Sequence, residues 1–231
     1  VISDLHGNRA DEGWLRNAIE RQTTKLSTKL VAISDSVAQS YLHTITSTAK
    51  NLNIIKNGIN PEATRGMAQA TPLKRTDLGL PENAFIIGSV GRLEPIKGYD
   101  LLIKAFALMR TDIPCYLLLV GSGSQEHILI ALAKKLGIVD RVIFAGHHSN
   151  PYPFYPIFDC FVLSSKSEGL SIALLEAISF RLPVVTTHSE EDHDVIQHET
   201  NGLLVEPNNA QKMHAAIMTL YENRSLIATM Q

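Results

Sequence analysis

Residues 164–183 read SSKSEGLSIALLEAISFRLP and carry two glutamates, Glu168 and Glu176, with seven residues between them. Leu170, Ile172, Ala173, Leu174, Leu175, Ala177 and Ile178 are apolar around most of a helical wheel, so the pattern predicts a largely buried helix over 170–180. Glu168 precedes a glycine in the loop ahead of it. A carboxylate buried on such a helix is costly without a partner, so Glu176 is expected to place its head in a polar crevice near the first turns. The amides of Gly169, Leu170 and Ser171 stand unsatisfied at the helix entrance, where the helix dipole favours negative charge. A phosphate group fits between the two carboxylates.

From residue 83 onward, short apolar runs recur at 85–90, 116–120, 142–145, 161–163, 184–186 and 203–205. Helical stretches lie between and after them at 99–109, 125–136, 170–180, 192–197 and 210–221, with a short turn near 152–157. Strands alternating with helices imply a parallel, doubly wound α/β sheet of Rossmann-like type. In such a sheet ligands bind beyond the carboxyl ends of the strands, which gathers 91–97, 121–124, 146–150 and 164–171 on one rim. Residues 1–60 read as strand, helix, strand, helix, strand over 1–4, 11–23, 29–34, 36–43 and 53–56, with Ser34 or Asp35 capping the fourth element. Asn57-Gly58 reads as a turn in which a residue takes positive φ. Residues 61–82 hold three prolines and no sustained apolar period, and their one helical signal is 74–78, stopped by Gly79. The expected organisation is a partial first domain over 1–60, a linker over 61–82 and a nearly complete second domain over 83–231. Val1 opens what reads as a strand in progress and the last residues read as an uncapped helix, so a longer parent protein is expected.

On the rim, Gly91-Arg92 ends a strand and Lys97 follows across a loop bent by Pro95 and Gly98. A guanidinium fork and an ammonium together suit a diphosphate. Gly121-Ser122-Gly123 lacks the third glycine of a dinucleotide fingerprint, since position 126 is Glu126, and reads as a tight strand-to-helix turn. His147-His148 lack further ligands, and His193 and His198, five residues apart, do not share a helical face; a solvated loop is the expectation over a metal site for both. NPYPFYPIFD, residues 150–159, reads as a packed turn whose backbone lines a base pocket. Cys115 and Cys160 sit inside apolar runs and read as small core residues in a reducing cytoplasm. A chain of 231 residues, 45% hydrophobic and with net charge −2, buries a sizeable core and offers no electrostatic footprint for nucleic acid. No apolar run is long enough to span a membrane, which leaves peripheral attachment at the inner membrane surface open.

The pair in EGLSIALLEA, taken with GRLEPIKG at 91–98 and NGLLVEP at 201–207, resembles the retaining group 1 (family 4) glycosyltransferases of GT-B fold, from about residue 31 to the end. The resemblance implies two Rossmann-like domains facing a cleft and a metal-independent transfer, with retention, from a nucleotide sugar to a glycan, lipid-linked or small-molecule acceptor. It implies that Glu168 contacts the donor sugar, that Glu176 holds the ribose, that Arg92 and Lys97 hold the diphosphate, and that His6 faces the sugar. It also makes Gly91, Gly121, Gly169, Leu170 and Ser171 part of the donor site, and the leaving phosphate the acceptor of the proton. Residues 187–199 depart from the family: Asp192-His193-Asp194 stands where a glycine-rich turn and a supporting glutamate are usual. The rival readings are a nucleotide-sugar epimerase of the same fold, against which GRLEPIKG argues, and a catalytically silent nucleotide-sugar-binding subunit.

Overall fold

A computed structural model describes residues 2–5, 22, 29–44, 52–167, 169–187, 195–223, 226–227 and 230 of the chain. They fall into two compact units: 1–58 with 167–172 and 189–195, and 59–166 with 173–188 and 196–231.

In the first unit, β1 (Ile2–Leu5), β2 (Lys29–Ala32) and β3 (Leu52–Ile54) form a parallel sheet in the order β1-β2-β3. Helix α1 (Asp35–Thr44) follows β2. Its cap is Ser34, whose Oγ accepts the Val37 amide at 3.2 Å, one residue ahead of the acidic side chain that competed for the role. Leu30, Ala32, Val37, Ala38 and Tyr41 make a small core. The helix expected over 11–23 lies outside the described residues except for Gln22. Neither Asn57 nor Gly58 takes the positive φ expected of a turn there.

The second unit is built on β4 (Phe85–Val90), β5 (Cys115–Val120), β6 (Val142–Gly146), β7 (Cys160–Leu163), β8 (Val184–Thr187) and β9 (Gly202–Val205). All their pairings are parallel and the order is β6-β5-β4-β7-β8-β9. Renumbered from β4, that is 3-2-1-4-5-6, the order of dinucleotide-binding folds. The central strands are buried along both faces, which explains why they read as continuous apolar runs rather than alternating ones. Helices α3 (Tyr99–Ala107) and α6 (Ala210–Glu222) pack into the core through Leu102, Phe106, Met213 and Ile217 against Phe85, Leu117 and Leu119. Helix α4 (Glu126–Lys135) adds Leu129 and Ala133. Cys115 and Cys160 are fully buried thiols, and burial pushes the Cys115 thiol up to about 12, as suits an inert core residue.

Two elements correct the sequence reading. Residues Pro61–Ala70 form helix α2, where only 74–78 had looked helical. Capping makes this helix rather than apolar periodicity: Asn60 Oδ1 accepts the Glu62 and Ala63 amides at 3.1 Å each, and Pro61 stands in the first turn. It buries only Thr64 and Ala68, which is why no apolar period announces it. Helix α5, expected from 170, spans Ile172–Ser179, so Leu170 and Ser171 stand before it; Arg65 Nη1 donates to the Ser179 carbonyl at its C-terminal end at 2.8 Å. Ile196 and Gln197, expected in a helix, are not helical, and 192–194 lie outside the described residues. The 3₁₀ turn Arg75–Leu78 ends as expected, on Gly79 at φ +69°.

Arg75 ties the entry of β4 to the entry of β7. Its guanidinium donates to the carbonyls of Ile157, Glu82 and Ala84 and to Asp159 Oδ2 at 2.8 Å, and the same carboxylate oxygen accepts the Ile86 amide at 2.7 Å. Arg75→Ala is expected to lower unfolding free energy in urea by about 2–3 kcal/mol. That is less than a fully buried pair would lose, because both side chains keep about a fifth of their surface in solvent. An unchanged midpoint would show that Asp159 alone sets this corner.

Candidate functional site

Strand β4 is where the strand order reverses, since β5 lies on one side of it and β7 on the other. The loops leaving β4 and β7 therefore diverge to opposite sides and open the crevice in which such sheets bind ligands. Ser89 Oγ donates to the Val162 carbonyl at 2.7 Å and holds the two strand ends together. Beyond them Ser164 Oγ donates to the Lys97 carbonyl at 2.9 Å, and the Lys166 amide to the Ile96 carbonyl at 2.8 Å. The approach is close enough that a Cβ on Gly98, at φ +64°, would stand 2.1 Å from the Ser164 carbonyl oxygen. Thr187 Oγ1 adds a 2.6 Å bond to the Ser165 carbonyl, which anchors the second loop to β8.

The Arg92–Lys97 loop is fixed equally well on its other side. Gly91 donates to Val120, Leu93 to Ser122 and Gln125 to Leu93, each at 2.9 Å, and the Leu93 side chain is buried. Glu94 accepts from the Ser124 hydroxyl at 2.7 Å and from the Ser124 amide at 3.1 Å, and these bonds, the hydroxyl's first, hold its carboxyl below the usual range. The loop's one carboxylate is thus engaged with Ser124, while Arg92 is exposed and Lys97 half-buried in the 3₁₀ turn Pro95–Lys97. Gly121 continues this packing, its amide on the Gly146 carbonyl at 2.8 Å.

Glu176 lies on the second turn of α5 and is 7% exposed. It has the partner its burial requires: the Tyr155 hydroxyl donates to Oε2 at 2.5 Å. Burial raises the Glu176 carboxyl above its ordinary range, and hydrogen bonds from Tyr155 and Tyr152 oppose that rise. The Tyr155 phenol is itself pushed up, by burial first and by the Glu176 charge next. Both tyrosines come from the 3₁₀ helix Tyr152–Ile157, in which residues three apart eclipse and share a face. This segment, expected as a packed turn whose backbone lines a base pocket, reaches Glu176 through its side chains.

Gly169, Leu170 and Ser171 are buried and belong to the segment that groups with the first unit. There Asn57 Nδ2 donates to the Leu170 carbonyl at 2.9 Å, and a Cβ on Gly169 would meet Ile33 Cδ1 at 3.2 Å. Asn57 was expected as a turn former; its amide is a fastener for this segment. Gly91, Arg92, Lys97, Gly121 and Glu176 all belong to the second unit, whereas His6, Glu168, His188, His193 and the rest of 188–194 lie outside the described residues. His148 packs edge-on to Phe154 with its Nε2 3.1 Å from the Ala145 carbonyl oxygen, and His198 Nδ1 accepts the Leu204 amide. Among the described residues no group of three or more His, Cys, Asp or Glu is arranged to hold a metal ion, and no helix is long and apolar enough to cross a membrane.

The solved structure of Anabaena Alr3699/HepE in complex with UDP and glucose superposes on 99% of this chain and 64% of its own at a TM-score of 0.85 and 23% identity. WaaG, a glycosyltransferase involved in lipopolysaccharide biosynthesis, superposes at 0.75 over 94% of this chain and 63% of its own, at 21% identity. These likenesses identify the fold as GT-B. The lipopolysaccharide core biosynthesis glycosyltransferase LpsE of Rhizobium meliloti is 34% identical over 161 residues, which are 70% of this chain and 46% of that protein. The N-acetyl-alpha-D-glucosaminyl L-malate synthase of Bacillus anthracis is 29% identical over 210 residues, 89% of this chain and 54% of the synthase. The chain spans about half the length of these relatives. Residues 71–231 match the family model described as glycosyl transferases group 1, and to that family the chain belongs.

Proposed function

We propose that this chain supplies the donor-binding part of a retaining glycosyltransferase of family 4 that moves a sugar from a nucleotide sugar to a glycan, lipid-linked or small-molecule acceptor. Residues 83–231 form the donor domain, 61–82 the joining segment, and 1–60 belong to the acceptor side. The observation that carries the reading is the switch-point loop, which presents Arg92 and Lys97 on a backbone pinned from both sides while its own glutamate is engaged with Ser124. Such a loop offers positive charge that needs no rearrangement when a diphosphate leaves. In this reading no metal takes part: Arg92 and Lys97 stabilise the diphosphate, the amides of Gly169 to Ser171 add donors, and Gly91 and Gly121 let backbone approach the ligand. Glu176 holds the ribose diol, Glu168 and His6 meet the sugar, and the departing phosphate takes the acceptor's proton. In this reading the transferase acts in the cytoplasm. LpsE is named for lipopolysaccharide core biosynthesis and the other relative as an L-malate synthase, so both are named for synthesis rather than epimerisation.

A full-length transferase containing this chain, screened against a panel of nucleotide sugars, is expected to transfer one of them with the anomeric configuration kept, as NMR of the product reads directly. Inverted product would overturn the retaining mechanism, and silence with every donor would favour a binding subunit. The two glutamates separate in the same protein. Glu176→Gln should weaken both the nucleotide sugar and the bare nucleoside diphosphate by about 1–3 kcal/mol, the range for a charge-assisted hydrogen bond made neutral. Glu168→Gln should leave the bare diphosphate alone and lower kcat, because a contact to the transferring ring matters most as positive charge builds there. Equal weakening of the diphosphate by both variants in calorimetric titration would show that the roles are misassigned.

A further inference from the structure

Glu176 is held before any nucleotide arrives. The Tyr155 side chain that bonds it is fully buried, and its ring stacks on Phe180 at 5.1 Å with the planes 3° apart and lies 6.0 Å from Phe161. Pro151, Pro153 and Pro156 restrict the backbone of the 3₁₀ helix that carries it, so the phenol has little freedom to turn away. Tyr152, one turn earlier on the same face, also acts on Glu176. An ionised carboxylate offers about four acceptor sites over two oxygens, and Tyr155 occupies one of them on Oε2.

Resting on the ribose role of Glu176 given above, we infer that Tyr155, seconded by Tyr152, is a positioning residue for nucleotide recognition: its hydroxyl fixes one oxygen of the Glu176 carboxylate and leaves the remaining acceptor sites to the two ribose hydroxyls. Tyr155 touches the carboxylate and not the nucleotide, so its effect passes through Glu176. Removing the hydroxyl frees the carboxylate to rotate. It also removes a donor that stabilises the ionised form, and a protonated carboxyl accepts fewer bonds from a diol. A tyrosine present only to fill space would lose nothing of this on becoming phenylalanine, because the ring and its stack survive.

The test is calorimetric titration of the 231-residue chain with UDP, GDP and ADP and with their 2′-deoxy forms, for wild type, Tyr155→Phe, Glu176→Gln and the double variant. Tyr155→Phe is expected to weaken the ribonucleotide that binds by about tenfold and to bring the ribo/deoxyribo affinity ratio towards one. The double variant is expected to bind no more weakly than Glu176→Gln, since the two side chains act as one unit. Retention of the wild-type ratio by Tyr155→Phe, or losses that simply multiply in the double variant, would overturn the inference. If Glu176→Gln itself keeps the ratio, or wild type binds none of the nucleotides, the ribose role falls and the inference with it. Tyr152→Phe, at a half-buried position, repeats the measurement should the buried variant lose folded structure by circular dichroism. The same narrowing of the ratio is expected there, and its absence counts against the proposal.

Discussion

In a full-length transferase containing this chain, Arg92→Ala and Lys97→Ala are each expected to lower kcat by about a hundred- to a thousandfold while raising the donor KM far less. The figure is that for losing one preorganised contact to developing charge, about 3–4 kcal/mol. The asymmetry follows from how the loop is built. Leu93 is buried and bonded to Ser122, Glu94 is clasped to Ser124, and the carbonyls of Ile96 and Lys97 are taken by Lys166 and Ser164. The backbone under both cations is thus set before substrate binds, and the cations meet a ground-state diphosphate that already carries charge shared with its sugar ester. As the glycosidic bond breaks, a further negative charge appears on the leaving phosphate. Contacts that strengthen at that moment act on kcat, while contacts of equal strength before and after act on KM. Arg92→Lys should recover only part of the loss, because an ammonium cannot form the planar fork of a guanidinium. A rise in KM with kcat unchanged would assign both residues to ground-state binding alone.

The second unit was largely legible in the sequence because its strands are covered on both faces and carry apolar side chains without alternation. Strand β4 emerges at 85–90 as read, and β5 and β7 begin one residue early, on Cys115 and Cys160. The rim loops follow from the carboxyl ends of those strands, so the places of Arg92, Lys97 and Gly121 were legible from topology, while their roles came from the family resemblance. Helix α2 was not, since its signal is the Asn60-Pro61-Glu62 cap and a period search weighs apolar side chains instead. The tyrosines on Glu176 escaped for a related reason. Their spacing of three puts them on one face only once the segment is helical, and nothing in NPYPFYPIFD fixes that geometry until the 3₁₀ helix is seen with Pro153, Phe154, Tyr155 and Ile157 buried. Glu176 itself was legible as a costly charge on an apolar helix, but what offsets the cost comes from 21 residues away along the chain.

Gly121→Ala is expected to damage both stability and nucleotide binding, because two separate obstacles meet at that residue. Its φ of +138° lies where side-chain-bearing residues rarely go, and an added Cβ would stand 2.0 Å from the carbonyl oxygen and 2.9 Å from the carbonyl carbon of Gly91. Those atoms are backbone and cannot rotate aside. Gly91 is bonded to the Val120 carbonyl and Gly121 to that of Gly146, so relief requires the end of β4 to lift from β5 or the end of β5 to leave β6. Either movement unseats the loop that carries Arg92 and Lys97. The stability loss should be about 2–4 kcal/mol, the sum of a strained backbone and an overpacked contact, and affinity for nucleoside diphosphate should fall at least tenfold, about 1.4 kcal/mol. Gly137→Ala is the matched control, with a positive φ of +69° but nothing within 4 Å of the added methyl and no place on the rim. It should cost about 1 kcal/mol and leave nucleotide affinity untouched. Urea unfolding and calorimetry on the two variants read out both quantities. If they unfold and bind alike, then the close approach of Gly91 and Gly121 does not hold the phosphate loop in place.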